Sequence, residues 1–89
     1  MPIAGVVVVT VPEQTSDVLQ ELKKLKNVTT YGVHKENNII TVLESDSTRG
    51  LERLANQISQ TIQGVIGVFP AYINFEDEIP DQNSDLSSN

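Results

Sequence analysis

Ile3-Ala4-Gly5-Val6-Val7-Val8-Val9-Thr10-Val11 is the most apolar and most β-branched window of the chain, and its reading decides the fold. A strand with one solvated face alternates apolar with polar residues, whereas this run is apolar almost without a break. It reads as a central strand in which Val6 and Val8 point one way and Val7, Val9 and Val11 the other. If one layer of helices covers the first set, the second set is left as an apolar surface that wants a partner.

Outward from this strand, Pro12 to Ser16 reads as a turn that delivers Thr15 or Ser16 as the cap of a helix running to about Lys26. Val18, Leu19, Leu22 and Leu25 form its apolar stripe. Asp17 lies in its first turn and Lys23, Lys24 and Lys26 in its last, as the helix dipole prefers. Val28 to Lys35 reads as a second strand, weakened by Thr29, Thr30 and Gly32. Asn37 and Asn38 tolerate left-handed backbone, so Glu36 to Asn38 reads as a hairpin turn into a third strand, Ile39 to Leu43. Asp46, Ser47 or Thr48 caps a second helix with Leu51, Leu54, Ala55, Ile58 and Ile62 on one face, ended by Gly64. Val65 to Phe75 is the fourth strand. Pro70 cannot donate to a ladder, which places it on a sheet edge or at a bulge.

The order β-α-β-β-α-β has two halves that echo one another at an offset of 37, as in Ile3 with Ile40, Val6 with Leu43, Val18 with Ala55 and Val28 with Val65. It predicts an α+β, ferredoxin-like fold: a four-stranded antiparallel sheet in the order 4-1-3-2 with both helices on one face. The domain is read as residues 1–78 and the remainder, 79–89, as an acidic tail expected to be disordered, because nothing in it can bury a core. Under the echo, Val6, Val8, Ile39, Thr41 and Leu43 face the helices. Val7, Val9, Ile40 and Val42 are left on the uncovered face. Each of these four forgoes up to about 1.5 to 3 kcal/mol of burial, enough to make a site for a peptide or a second subunit, although small domains do tolerate some exposed apolar surface.

Composition removes most chemistries. Eighty-nine residues fit one domain, which at this size buries roughly 60 to 65 per cent of its unfolded surface. The absence of cysteine excludes disulfides, thiolate metal sites and cysteine nucleophiles. The apolar run stops at Pro12 with no preceding base, too short for a membrane span and wrong for a secretory leader, so a soluble cytoplasmic protein is expected. Of the net charge of -6, Glu76, Asp77, Glu78, Asp81 and Asp85 supply five units with no base among them. A nearly neutral body with an acidic end argues against nucleic acid and permits a cationic partner. His34, the single histidine, has no carboxylate at ligand spacing and reads as a surface residue. No serine sits in a nucleophile elbow and no glycine-rich loop opens a helix, so no catalytic residue is assigned. Tyr31, Phe69, Tyr72 and Phe75 fall on the outer strands and read as packing groups, not as a base-stacking platform.

Gly5-Val6-Val7-Val8-Val9 leading through Pro12-Glu13 to Ser16-Asp17-Val18, then Ile40 to Glu44, then Ile62 to Val68 and Ala71-Tyr72, resembles the NapD family over roughly residues 3 to 78. Ile73 stands where that family often has a histidine, and Pro70 is an unusual choice within the strand. The resemblance implies a cytoplasmic chaperone that binds the twin-arginine signal peptide of the periplasmic nitrate reductase catalytic subunit and delays export until the cofactor is loaded. The molybdenum cofactor belongs to the client, and none is assigned to this chain. For the apolar segment of such a peptide the open face offers Val7, Val9, Ile40 and Val42. For its arginines the candidates are Glu44, Glu76, Asp77 and Glu78. Insertion into a membrane is not expected.

Two readings compete. A dimeric small-molecule-binding regulatory domain of the ferredoxin-like type would pair its open sheet faces and hold a ligand between them, but Pro12-Glu13-Gln14 poorly replaces the glycine-and-acid loop such a domain favours after its first strand. A metal-independent enzyme lacks any convergent polar constellation. The chaperone reading expects a mainly monomeric protein with dimers as a minor form. The regulatory reading expects an obligate dimer.

Overall fold

The computed structural model describes residues 1–74, which form β1 (Ile3–Thr10), a single 3-10 turn (Pro12–Gln14), α1 (Thr15–Lys23), β2 (Val28–His34), β3 (Asn38–Glu44), α2 (Thr48–Thr61) and β4 (Val65–Asn74). The strands make one antiparallel sheet in the order β2-β3-β1-β4, the expected 4-1-3-2 order met from the opposite edge. The fold is ferredoxin-like α+β.

One core cluster draws on the sheet and on both helices: Ala4, Val6 and Val8 from β1, Ile39 and Leu43 from β3, Val18 and Leu22 from α1, Leu51 and Ile58 from α2. Both helices therefore cover the same face. The alternation along β1 is strict, with Ala4, Val6, Val8 and Thr10 buried and the residues between them only half-buried. Thr41 lies fully inside the core, and its hydroxyl donates to the Ile39 carbonyl at 3.1 Å, so no bare polar group is left there.

Local chemistry corrects several expected boundaries. Neither Thr15 nor Ser16 caps α1; Gln14 occupies the cap position and makes no side-chain cap bond. The Thr15 hydroxyl is engaged elsewhere, against the Pro12 carbonyl at 3.0 Å, the Glu36 carbonyl at 3.2 Å and the Thr10 hydroxyl at 2.7 Å. The Thr10 hydroxyl also reaches the Asn37 carbonyl at 3.5 Å, so the two hydroxyls and three carbonyls form one shared network. Asn37 completes the joint: its Nδ2 donates to the Thr10 carbonyl at 2.8 Å, and its own carbonyl accepts from the Thr10 amide at 3.0 Å. The end of β1, the start of α1 and the β2–β3 hairpin are thereby tied at one buried point. In that hairpin Lys35 takes the left-handed backbone (φ 61°), while Asn37 serves as the tie. Helix α1 stops at Lys23, short of Lys26, because Asn27 turns the chain left-handed (φ 68°) into β2. Ser47 is the cap of α2, its hydroxyl accepting from the Gly50 amide at 3.0 Å.

Thr15→Val is expected to lower stability by about 1 to 3 kcal/mol, since it removes the 2.7 Å partner of the fully buried Thr10 hydroxyl and leaves it only the Asn37 carbonyl at 3.5 Å, whereas Thr15→Ser retains most of the stability. Urea denaturation measures both. Identical midpoints for valine and parent would show that this joint contributes nothing.

Strand β4 is an edge strand, as Pro70 requires, and it is also bulged twice. The register with β1 skips Ile66 between Val65 and Gly67, and Ala71 between Pro70 and Tyr72. The opposite edge, β2, is interrupted between Thr30 and Val33, where Gly32 sits at φ 108°. The expected acidic tail, 79–89, and the end of the expected fourth strand at Phe75 lie outside the described residues.

Candidate functional site

The face turned away from the helices is built by strand pairing, which sets side chains of one parity in rows across the sheet. One row runs Phe69–Val7–Ile40, the next Gly67–Val9–Asn38–His34, and on the other side Val42 pairs with Gly5 and Thr29. A last row joins Ile3 to Glu44. The structure thus places Val7, Val9, Ile40 and Val42 together on this uncovered face, with Glu44 on the same side of β3 and exposed. From Ile3 to Val9 the strip is about 20 Å long at the usual strand rise.

Exposure along the strip is uneven. Val7, Val9 and Val42 are half-buried by their neighbours, while Ile40 is 38% exposed and Phe69 54%. Phe69 corrects the reading of the aromatic residues as packing groups. Its ring lies over Gly67, where a Cβ would come within 2.8 Å of ring carbons. Only a residue without a side chain admits that posture. Tyr31, on the bulge of β2, is likewise exposed, at 65%. The Tyr72 side chain and Phe75 lie outside what the structure describes, and so do Glu76, Asp77 and Glu78.

Phe69 was invisible as a member of this face because strict alternation from core-facing Val65 would send residue 69 inward. The extra residue at Ile66 inverts the parity, so Val68 turns to the core side and Phe69 to the open side. Gly67 leaves room for an aromatic two residues away on the same face, but that relation holds for either parity and does not say which face it is.

Among the described residues the charged groups of this surface lie at its ends, with Thr29 the polar neighbour of Val42 between them. Glu44 marks one end of the strip, and Asn38, with His34 opposite it, the other, six residues away along β3. Such a face can bury an apolar segment and pair one cation at its Glu44 end. Among the described residues no three His, Asp or Glu side chains group to hold a metal ion, and no helix is long and apolar enough to cross a membrane.

Comparison with curated proteins and with solved structures finds no match. A family model, that of the NapD protein, matches residues 1–77 and so takes in both helices and all four strands. A match of that extent, over a fold built on a nearly unbroken apolar central strand, leads to one conclusion: the chain belongs to the NapD family, a family of nitrate reductase maturation chaperones.

Proposed function

We propose that this chain acts in the cytoplasm as a non-enzymatic chaperone, capturing the twin-arginine signal peptide of the periplasmic nitrate reductase catalytic subunit and delaying its export until the cofactor is loaded. The observation that carries the reading is the open face: an apolar strip of Val7, Val9, Ile40, Val42 and Phe69, bounded at one end by the carboxylate of Glu44. Burial of the peptide's apolar segment on the strip supplies most of the affinity. The paired arginines are held at the Glu44 end, with Glu76, Asp77 and Glu78 as further candidate partners. Charge-assisted pairs of this kind set orientation more than strength. The protein works as a monomer, because pairing of two open faces would cover the surface the peptide needs.

Calorimetric titration with a twin-arginine peptide, beside one in which both arginines are lysines, tests this. Saturable binding is expected, weakened by the lysine exchange by about 1 to 2 kcal/mol, or roughly five- to thirtyfold, since an ammonium cannot reproduce the forked donor geometry. No binding to either peptide, with the protein migrating as a dimer, would move the assignment to a ligand-binding regulatory domain.

A further inference from the structure

The row at the middle of the open face ends in an aromatic on each side. Val7 pairs with Phe69 on β4 and with Ile40 on β3. Beyond Ile40 the register of β2 steps from Thr30, opposite Thr41, to Val33, opposite Ile39, so Tyr31 and Gly32 together face Ile40. Thr29, opposite Val42, lies on the open side, and Tyr31 has the same parity. Burial along β2 agrees, with Val28 and Thr30 half-buried and Thr29 and Tyr31 exposed. The full row is therefore Phe69–Val7–Ile40–Tyr31. It brings the two aromatic side chains that the structure describes, from distant parts of the chain, to opposite rims of one face.

The fold makes little use of Tyr31. Its side chain is 65% exposed and stands outside the core cluster, and its hydroxyl makes no hydrogen bond among the described residues. A ring with an apolar body and a wet polar tip suits the border of a binding surface. Two dimensions set the course of a segment bound there. At the usual strand spacing the row is about 14 Å from rim to rim, and at the usual rise the strip is about 20 Å long. A helix with its side chains is about 10 to 12 Å across and an extended segment is narrower, so either fits between the rims. Laid along β1 and β3, the segment covers the longer dimension and ends at the Glu44 carboxylate. Laid across, it covers the shorter one and has no acid of the described face at either end.

We propose that Tyr31 is a direct contact of the client peptide: with Phe69 it brackets Val7 and Ile40, and so directs the bound apolar segment along β1 and β3, from Glu44 toward Asn38 and His34. The inference rests on the signal-peptide reading and deepens it. Phe69, held over Gly67, is the fixed border, and Tyr31 is the border that the strip gains from β2.

The test uses the full chain and the twin-arginine peptide, read by titration, urea denaturation and NMR. Tyr31→Ala is expected to weaken the peptide by about five- to tenfold, as for an aromatic at the border of a binding surface, and Tyr31→Phe by less than about twofold, with both urea midpoints at the parent value. A nitroxide on the peptide just after its apolar segment is expected to broaden the amide signals of Asn38 and His34 more than that of Glu44, and one placed before the arginines the reverse. Parent-like affinity in Tyr31→Ala, where the parent binds, overturns the contact and leaves the signal-peptide reading standing. A loss of affinity matched by a fall in the urea midpoint overturns it too, since the effect then comes through the fold. Broadening that runs from β2 to β4 instead of along β3 overturns the lengthwise course. A parent protein that binds no peptide sinks the signal-peptide reading and this contact with it.

Discussion

Val8→Asp is expected to abolish the native fold. Val8 is fully buried on the central strand, in the cluster that joins both helices to the sheet. A carboxylate placed there enters an aliphatic cluster whose nearby threonine hydroxyls already have partners, so its charge or its proton is poorly accommodated. The cost is about 4 to 5 kcal/mol or more, against a stability of only about 5 to 10 kcal/mol for a domain of this size. The informative comparison lies one residue away. Val9→Asp projects from the other face, which neither described helix covers, and is expected to keep its fold with a loss of about 1 kcal/mol. Far-UV circular dichroism with urea titration separates the two, and unfolding of both to the same extent would mean that the open face is not open.

The second large effect concerns binding. Val7 sits at the middle of the Phe69–Val7–Ile40 row, so Val7→Asp puts a charge at the centre of the surface proposed for the peptide. A loss of about 2 kcal/mol or more is expected, some thirtyfold in affinity, because central contacts dominate such surfaces. Phe69→Ala is expected to follow with about tenfold, as the ring offers the most exposed apolar surface of that row. Titration of folded variants with the signal peptide reads both. Parent-like affinity in each would place the peptide elsewhere on the molecule.

What the sequence discloses and what it hides divide along physical lines. The central strand and the strand order follow from the apolar and period-3.6 patterns, and the parity of Val6, Val8, Ile39, Thr41 and Leu43 from the echo between the two halves, since the sequence of β1 does not itself alternate. Thr15 resisted reading because a hydroxyl before a helix looks like a cap, and only the tertiary approach of the Glu36 carbonyl and Thr10 diverts it. The end of α1 at Lys23 is not legible in the sequence, since lysines continue a helix as readily as they leave one, and the left-handed turn at Asn27 lies beyond them. Phe69 was missed for a different reason. A bulge is a property of two strands together, so the inversion of parity at Ile66 has no trace in the local pattern of β4.

The broken edges bear on solution behaviour. A protein with an aliphatic strip on an open sheet face is at risk of polymerising, and the cheapest route is for copies to join rim to rim into a growing ribbon. That route needs a continuous file of amides and carbonyls. On one rim the file is interrupted at Ile66, Pro70 and Ala71, and on the other beside Gly32. The molecule can therefore carry an apolar face while staying unreactive toward its own kind at its sides, so its shelf life is set by its borders and not by that face.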